Sequence, residues 1–337
     1  MSLTQTEFDL NSKALTEAFT IEALIERKIA PTETRILEFD VPPGNIAYNP
    51  SKVFYVDGQA LIMSRVDDRN DELDSRSWVY NYQEDAGRKL SRFNKLSFPW
   101  QDPFATHIQN KLIIGGVKVT RDPNNPSEVL SIATEMMIGN NLDDLEPLCT
   151  IEGQKDVRPV DMSNAYRELV GVYGRPQNGH ATGDISYTEV ETPYQITTEI
   201  VKNAPIITKG IFKEGIWCGG NDAIHLSNGH NLVLGHVGRY KLQFPDKKEY
   251  HGMHFIHDPI TNRIYDLVIN GSELDYRTSL DIDPSHQEIC FSGGFDEEPD
   301  ALTLAERLRD IGNLVLKATC GLGDSGAGHG LIRLHAA

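Results

Sequence analysis

The sequence predicts an all-β protein, a five-bladed β-propeller with a short N-terminal helical extension. After residue 35, apolar residues alternate with a period of two in short runs that end at Gly, Asn, Asp or Pro turns. A turn such as Asp57-Gly58 between two apolar runs recurs roughly once per 50 residues, a spacing typical of propeller blades. Because no low-complexity tract or linker interrupts the chain, residues 36–337 are predicted to form one catalytic domain.

The elements are predicted in chain order from these patterns. The N-terminal extension, residues 1–35, is expected to contain one amphipathic helix over 11–30, which ends at Pro31. A second helix is expected over 300–310, with Asp300 as its N-cap and Gly312 just beyond its end. The predicted strands lie in the segments RILEFDV, KVFYVDGQALIMSRV, SWVYNY, KLIIGGVKV, ELVGVYG, HNLVLGHV, RIYDLVI and HQEICFSGG.

Composition excludes several classes of partner. The 337 residues carry a net charge of -17, with a pI near 5.0, so most of the surface would repel the phosphates of nucleic acid. We expect no membrane span, because no run of eighteen apolar residues occurs, and the first residues lack the pattern of a secretory signal. The four cysteines lie far apart, which favours reduced thiols in a cytoplasmic protein.

The first candidate for catalysis is the acid Asp102, within Trp100-Gln101-Asp102-Pro103. An Asp before Pro is restricted to an extended or turn conformation, which could project its carboxyl into the central opening of the propeller. For the isolated dipeptide alone, an ordinary Asp-Pro turn is the favoured interpretation, and the other candidate residues are needed to support a catalytic role.

The second candidate site combines Asn49, before Pro50, with Arg65, which lies one strand later. Asn and Arg side chains at the ends of inner strands are suited to the hydroxyls of a sugar. Turn chemistry also accounts for Asn49-Pro50, but Arg65 lies in a largely apolar segment and needs partners if it is buried.

The third candidate is a local anion pocket within the acidic chain. Six of the eleven histidines lie between residues 225 and 257, close in sequence to several cationic and polar side chains. The candidate residues are Lys155, Asp156, Arg175, His236, Arg239, Tyr250 and His251.

These histidines could instead bind a metal or serve only the structure. His251, His254 and His257 recur every third residue, as in some metal sites, but in a strand His254 faces away from the other two. We therefore expect no metal. In the purely structural case, histidines such as His225, His230 and His254 are solvated or satisfied within the core.

The glycine-rich segment 321–330 lacks the Gly-Lys-Ser/Thr signature and the βαβ context of a nucleotide-binding loop. In the last blade of a propeller, a turn here could bring Asp324 close to the sugar-facing residues of the first blade.

At these residues the sequence resembles the five-bladed β-mannoside phosphorylases of glycoside hydrolase family 130. It resembles more closely their mannosyltransferase/phosphorylase relatives of mannogen metabolism, a group once known only as a domain of unknown function. The likeness lies in the order of the matches over 36–337. In chain order the matching residues are Asn49-Pro50, Arg65, Gln101-Asp102-Pro103, Lys155-Asp156, Arg175-Pro176, Gly220-Asn221-Asp222, His236, Phe291-Ser292-Gly293-Gly294 and Asp324.

The resemblance implies roles for several of the matching residues. Asp102 is implied as the general acid, while Lys155, Arg175 and His236 are implied to bind phosphate. Arg239, Tyr250 and His251 join the phosphate set by the charge argument alone. The residues expected to bind the sugar are Asn49, Arg65, Asp156, Asp222 and Asp324. Two departures, Gln101 for the usual Glu and Phe104 for the usual Arg, leave linkage and acceptor preference open.

The predicted reaction is that of an inverting phosphorylase or mannosyltransferase acting on β-mannosides, with β-1,2 linkage as the expected type. Its partners would be manno-oligosaccharide, mannose 1-phosphate and inorganic phosphate, with no cofactor, and a homo-oligomer is compatible with the sequence. A propeller glycoside hydrolase is one alternative, since Asp67, Asp156, Asp222 and Asp324 are possible second carboxylates. A non-catalytic sugar-binding propeller is another.

Overall fold

The structure is a computed structural model of the chain. It describes residues 18–29, 31, 33–68, 71–83, 89–164, 166–177, 183–226, 228–245, 247–271, 288–289, 291–295, 313–321 and 327–335. None of the helices in these ranges is long and apolar enough to cross a bilayer.

The described strands form five sheets. The first sheet contains β2 (Asn45–Val56), β3 (Gln59–Asp68), β4 (Asp71–Asn81) and β5 (Arg92–Phe98). The second contains β6 (Gln101–Ile108), β7 (Lys111–Arg121), β8 (Val129–Gly139) and β9 (Glu146–Glu152). The third contains β10 (Gln154–Asp161), β11 (Val170–Pro176) and β12 (Ser186–Val190).

The fourth sheet contains β13 (Trp217–His225), β14 (Asn231–Tyr240), β15 (Lys248–Asp258) and β16 (Arg263–Gly271), and β17 (Glu288–Ile289) pairs parallel to β15. The fifth joins both ends of the chain: β1 (Glu33–Leu37), β20 (Ala327–His335), β19 (Asn313–Gly321) and β18 (Phe291–Phe295), in that spatial order. The short helices are α1 (Ile21–Ile25), α2 (Thr198–Lys202) and a 3₁₀ turn at Pro193–Gln195.

The sheets are arranged around a central axis. The first strands of the successive sheets, β2, β6, β10 and β13, each contact the next, and β18 contacts both β13 and β2, which closes the ring. Thr319 Oγ1 donates a hydrogen bond to the carbonyl of Ser51 at 2.8 Å, across the closure. The predicted all-β propeller is therefore confirmed. Four of its sheets have four or more described strands, whereas the β10–β12 sheet has three, so five complete four-stranded blades are not present among the described residues.

Turn chemistry positions these strands. Asp57 and Gly58 have φ values of 50° and 77°, and Gln109 and Asn110 have φ values of 50° and 61°. Two successive residues with positive φ are the conformation of the type I′ hairpin turn, which matches the twist of the flanking strands. The predicted Asp57-Gly58 turn is confirmed.

The hydrophobic core lies mainly between neighbouring sheets. One cluster joins Ile108 and Ile113 of the second sheet to Val170 and Val172 of the third, and another joins Tyr173 of the third to residues of the fourth. Sheets that pack face to face need apolar side chains on the faces that meet, so a blade with a neighbour on each side carries them on both faces. The core therefore fixes each blade against its neighbour and leaves the axial ends of the inner strands for polar residues.

The N-terminal helix is shorter than predicted. Residues 18–20 are not helical, and α1 covers five residues, capped by the Thr20 hydroxyl, which accepts from the amide of Ala23. Ile21 and Leu24 are buried in the core between the third and fourth sheets, so tertiary packing, and not length, stabilises this turn of helix. The rest of the expected helix (11–17) and the expected helix over 300–310 lie outside the described residues.

Stability in acid should depend on His254. Burial lowers the pKa of this imidazole to about 4, whereas an unfolded histidine has a pKa of about 6.5. The unfolded state therefore takes up a proton first as the pH falls, so this contribution to stability is complete above about pH 6.5 and is lost toward pH 4. Between pH 7.5 and pH 5, His254→Leu should lose about 2 kcal/mol less unfolding free energy than the wild type.

Urea denaturation at the two pH values measures this difference directly. An equal pH-dependent loss in wild type and variant would contradict the prediction.

Candidate active site at the axial bulges

The candidate site is built from bulges in the inner strands. Each of the five strands nearest the axis has a register shift against its neighbour, at Tyr48/Pro50, Gln101/Phe104, Lys155/Arg158, Gly220/Asp222 and Ser292/Gly294. Asn49, Asp102 and Asp156 lie at three of these bulges with φ values of 45°, 47° and 50°. Asn and Asp tolerate this left-handed conformation better than most residues, and a bulge redirects its side chain out of the ladder.

Asp102, in the second sheet, contacts two side chains of the first sheet. Asn49 Nδ2 donates a 2.7 Å hydrogen bond to Asp102 Oδ1, and Arg65 Nη1 lies 3.9 Å from the same oxygen. The Asp102 side chain keeps 14% of its surface exposed, so a ligand can reach it. Asp102 therefore has a left-handed conformation at the bulge of β6, and not the extended or turn conformation expected before proline, and its carboxylate meets polar partners.

Arg65 is held by a second carboxylate. Asp67 Oδ2 accepts from Arg65 Nε at 2.9 Å and lies 2.7 Å from Arg65 Nη2, and it also accepts from the Tyr48 hydroxyl. Burial opposes the charge of Arg65, but Tyr48, Asp102 and Asp67 together raise its pKa above the usual value. The guanidinium is therefore a fixed cation beside Asp102.

Arg158 links three inner strands in the interior. Its Nη2 donates to the backbone carbonyl of Asp102 at 3.1 Å, and its Nε donates to the carbonyl of Asn221 at 3.0 Å. Nη2 also lies 3.5 Å from Asp156 Oδ1, and the guanidinium carbon is 4.5 Å from the centre of the Phe104 ring. Burial lowers the pKa of Arg158, although nearby carboxylates oppose the shift.

The third sheet supplies a pair of cations next to Asp156. Lys155 and Arg175 are register partners on β10 and β11, and Arg175 Nη1 donates to Asp156 Oδ2 at 3.1 Å. Burial and the Arg175 charge lower the pKa of Lys155, while Asp102 and Asp156 act in the opposite direction. The charges of Arg175, Asp102 and Asp156 therefore all act on Lys155.

The fourth sheet contributes His236. Its Nδ1 lies 2.7 Å from Asn221 Oδ1, and burial, together with the charge of Arg175, holds its pKa well below the ordinary value. Because an amide oxygen only accepts, Nδ1 of His236 carries the proton. The lowered pKa leaves the ring neutral, with no second proton on Nε2. Tyr250 packs against this ring at 5.7 Å between centroids, and burial raises the pKa of its phenol to about 12.

Asp222 lies between the fifth sheet and the first. Its Oδ2 accepts from the amide of Phe295 at 3.0 Å, and its Oδ1 lies 3.6 Å from Lys52 Nζ. Lys52 Nζ also lies 3.4 Å from the hydroxyl of Thr106. A carboxylate and an ammonium from different sheets therefore border the site next to the fifth sheet.

The local charge differs from that of the chain. With His236 neutral, one net positive charge remains among these side chains, whereas the whole chain carries -17. The five cations are Lys52, Arg65, Lys155, Arg158 and Arg175, and the four carboxylates are Asp67, Asp102, Asp156 and Asp222. A cleft of this charge can hold an anion that the surface would repel.

The family model of the DUF1861 proteins, described as proteins of unknown function, matches residues 24–304 of the chain. The chain belongs to the DUF1861 family. No curated protein is detectably similar in sequence.

Solved structures share the propeller of this DUF1861 chain. MPT-4, a mannose phosphorylase from Leishmania mexicana solved with phosphate ion, is 24% identical, covers 93% of this chain and 91% of its own, and has a TM-score of 0.75. MPT-1, a GDP-Man-dependent mannosyltransferase from the same organism, is 21% identical, with 94% of each chain covered and a TM-score of 0.76.

A structure from the GH130 family of mannoside phosphorylases, described as containing glycoside hydrolases that target β-1,2 mannosidic linkages in Candida mannan, is 11% identical. It covers 85% of this chain and 84% of its own, with a TM-score of 0.54. The resemblance found in the sequence is thus confirmed.

The structure brings most of the predicted site residues of this DUF1861 chain together. Asn49, Arg65 and Asp102 are in contact, and Lys155, Asp156 and Arg175 lie beside them with His236 and Tyr250. Lys155 and Arg175 come from one sheet and His236 from the next. Asp324 lies outside the described residues.

Two predicted phosphate ligands are directed elsewhere. Arg239 Nη1 lies 2.6 Å from Glu22 Oε1 of α1, and Arg239 Nε also bonds to Glu249, so two carboxylates already neutralise it. His251 pairs with Val237, whereas Tyr250 and His236 are on the other face of the sheet, because neighbouring residues of a strand alternate. Arg239 and His251 therefore lie on the face of the sheet opposite His236 and Tyr250, and they do not belong to the anion pocket.

Three residues of the site were not predicted. Lys52, Arg158 and Asn221 make the contacts described above, and of these Arg158 carried a usable signal, since it lies between Val157 and Pro159 and would need partners if buried. The described part of the chain contains no cluster of three or more His, Cys, Asp or Glu side chains suited to a metal ion.

Gly219 provides a direct test of this packing. A Cβ at Gly219 would lie 2.5 Å from His236 Cε1 and 2.9 Å from Asp156 Oδ2, whereas a Cβ at Gly220 would meet no heavy atom closer than 3.6 Å. Gly219→Ala should therefore displace His236 and weaken binding of inorganic phosphate by about tenfold or more, the effect of losing a hydrogen bond to a charged group. Gly220→Ala should bind normally.

Isothermal titration of both folded variants with inorganic phosphate makes the comparison. Equal affinities for the two variants would refute the proposed position of the anion.

Proposed function

We propose that this protein is an inverting phosphorylase and mannosyltransferase for β-mannosides, with β-1,2 linkage as the expected type. The observation that carries the proposal is the position of one partly exposed carboxylate, Asp102, between sugar-suited side chains and a cation-rich pocket. Asn49 and Arg65 contact it, and its charge acts on Lys155, the register partner of Arg175.

The reaction needs one protein acid. A phosphate oxygen attacks the anomeric carbon of the mannoside, the bond from that carbon to the glycosidic oxygen breaks, and a proton from Asp102 reaches the leaving oxygen, directly or through a sugar hydroxyl. The products are mannose 1-phosphate of inverted configuration and a shortened saccharide. Run in reverse, mannose passes from mannose 1-phosphate to an acceptor.

The anion pocket would bind the phosphate. Arg175 and Lys155 supply N–H donors, and the neutral His236 can accept a hydrogen bond from the P–OH group of a hydrogenphosphate. The phosphate complex of MPT-4 and the mannosyl transfer by MPT-1 support this proposal by analogy, because both share the fold.

A hydrolase is less well supported. Hydrolysis needs a second carboxylate as base or nucleophile, and inverting enzymes hold the two about 6.5–9.5 Å apart. Each described candidate for that second carboxylate is already paired with a buried cation, so its oxygens are engaged in an ion pair and not directed at a water. The pairs are Asp67 with Arg65, Asp156 with Arg175 and Asp222 with Lys52.

The proposal also covers the domain, the co-substrate and the location of the protein. We assign the five sheets as five blades of one catalytic unit over 36–337, with phosphate as co-substrate and no cofactor. A cytoplasmic location, a possible homo-oligomer and a role for Asp324 in binding the sugar stay predictions.

Removal of the acid tests the proposal. Asp102→Asn keeps the size of the side chain but cannot deliver the proton, so phosphate-dependent release of mannose 1-phosphate from β-1,2-mannobiose should fall by about 10²–10⁴-fold. Asp143→Asn, in an exposed loop, is the matched control and should keep wild-type activity.

Turnover at the wild-type rate without phosphate would favour the hydrolase. Near-normal activity of Asp102→Asn would refute the assignment of the acid. If the wild-type protein binds mannosides but never turns them over, the sugar-binding alternative holds.

A further inference from the structure

One face of the fourth sheet carries a continuous row of side chains that leads away from the site. In the register of β13, β14 and β15, Gly219, His236 and Gly252 are neighbours, and two residues further on Trp217, Gly238 and Tyr250 are neighbours. Tyr240 and Lys248 form the next pair on the same face. Because side chains two residues apart share a face, the row runs from His236 to the pair Tyr240 and Lys248.

Aromatic contacts make this row rigid. The Tyr250 ring lies 5.7 Å from His236 and 5.6 Å from Trp217, and Trp217 meets Tyr240 edge-on at 5.3 Å. Gly238 lets the rings approach, since a Cβ there would lie 2.7 Å from Trp217 Nε1 and 2.8 Å from Tyr250 Cδ1. Trp217 is 2% exposed and so supports the row without contacting a ligand.

The outer end of the row is open to solvent. Tyr240 is 45% exposed, and Leu242, two residues later, is 79% exposed. At about 3.3 Å per residue, Tyr240 lies ~13 Å along the strand from His236, which is farther than one hexose ring reaches. Lys248 Nζ lies 5.9 Å from the centre of the Tyr240 ring, at the border of the same surface.

Such a surface matches the chemistry of a sugar. A pyranose ring has an apolar face of C–H groups that packs on a flat aromatic ring, and hydroxyls around its edge that accept from an ammonium. The charge of Lys248 also lowers the pKa of Lys155, so Lys248 lies within electrostatic reach of the anion pocket. The exposed Tyr240 ring and His236 of the pocket also lie on the same face of the fourth sheet.

We propose that Tyr240, with Lys248 at its border, forms an outer subsite that binds a distal residue of a neutral manno-oligosaccharide. This inference rests on the proposed function and adds to it the class of acceptor, an oligosaccharide that reaches from Asp102 to Tyr240. The rigid ring needs no ordering on binding, so stacking there favours longer chains without affecting the reacting residue.

Binding of β-1,2-mannobiose and β-1,2-mannotetraose to the full chain, measured by titration calorimetry without phosphate, tests this subsite. Tyr240→Ala should weaken tetraose binding about five- to tenfold, the range expected for one aromatic contact, and leave mannobiose binding unchanged. Tyr240→Trp should restore tetraose binding. Tyr194→Ala, which removes a 62% exposed tyrosine from the 3₁₀ turn at Pro193–Gln195, is the control and should bind both sugars normally.

The outcomes separate the two proposals. If wild type binds both sugars and Tyr240→Ala binds tetraose as tightly as wild type, the outer subsite is wrong and the proposed function stands. If wild type binds neither sugar, the proposed function fails and the subsite with it. A loss of both sugars in a folded Tyr240→Ala variant would also overturn the subsite, because the ring would then act on the inner site.

Discussion

The site depends on one buried guanidinium, that of Arg158. It donates to backbone carbonyls at the bulges of the second and fourth sheets and faces the Asp156 carboxylate of its own. A buried cation is costly unless its donors are satisfied, so the three bulges must stay where these bonds hold them. Since Asn221 also binds His236, the same guanidinium links the position of the proposed acid, Asp102, to that of the proposed anion ligand.

A strongly acidic chain can use an anionic co-substrate only if attraction is concentrated inside the cleft. The structure achieves this by pairing each buried carboxylate except Asp102 closely with a cation and leaving Lys155 beside them. Asp102 accepts a hydrogen bond from Asn49 but lies 3.9 Å from Arg65, and its side chain stays partly exposed to solvent. In the proposed reaction this leaves one carboxylate to move a proton while the remainder fix the geometry.

Strand period and turn residues predicted the propeller because both are local properties, and Asp57-Gly58 is an example of a turn that needs no tertiary information. The contact between Asn49 and Asp102 was predictable only from the family resemblance, in which both residues match in the same order along the chain, since the two lie on different sheets. Proximity in sequence suggested Arg239 for the anion pocket, but it cannot reveal that Glu22, far away in the chain, pairs with it. Arg158 was missed because its bonds go to backbone carbonyls, which leave no pattern of side chains in the sequence.

The identity of the phosphorylated product tests the central claim most directly. ³¹P NMR of wild-type protein with β-1,2-mannobiose and inorganic phosphate should show α-mannose 1-phosphate growing in step with free mannose, as attack by phosphate with inversion requires. Release of mannose with no phosphate ester would contradict the account, because water and not phosphate would then be the nucleophile in the cleft.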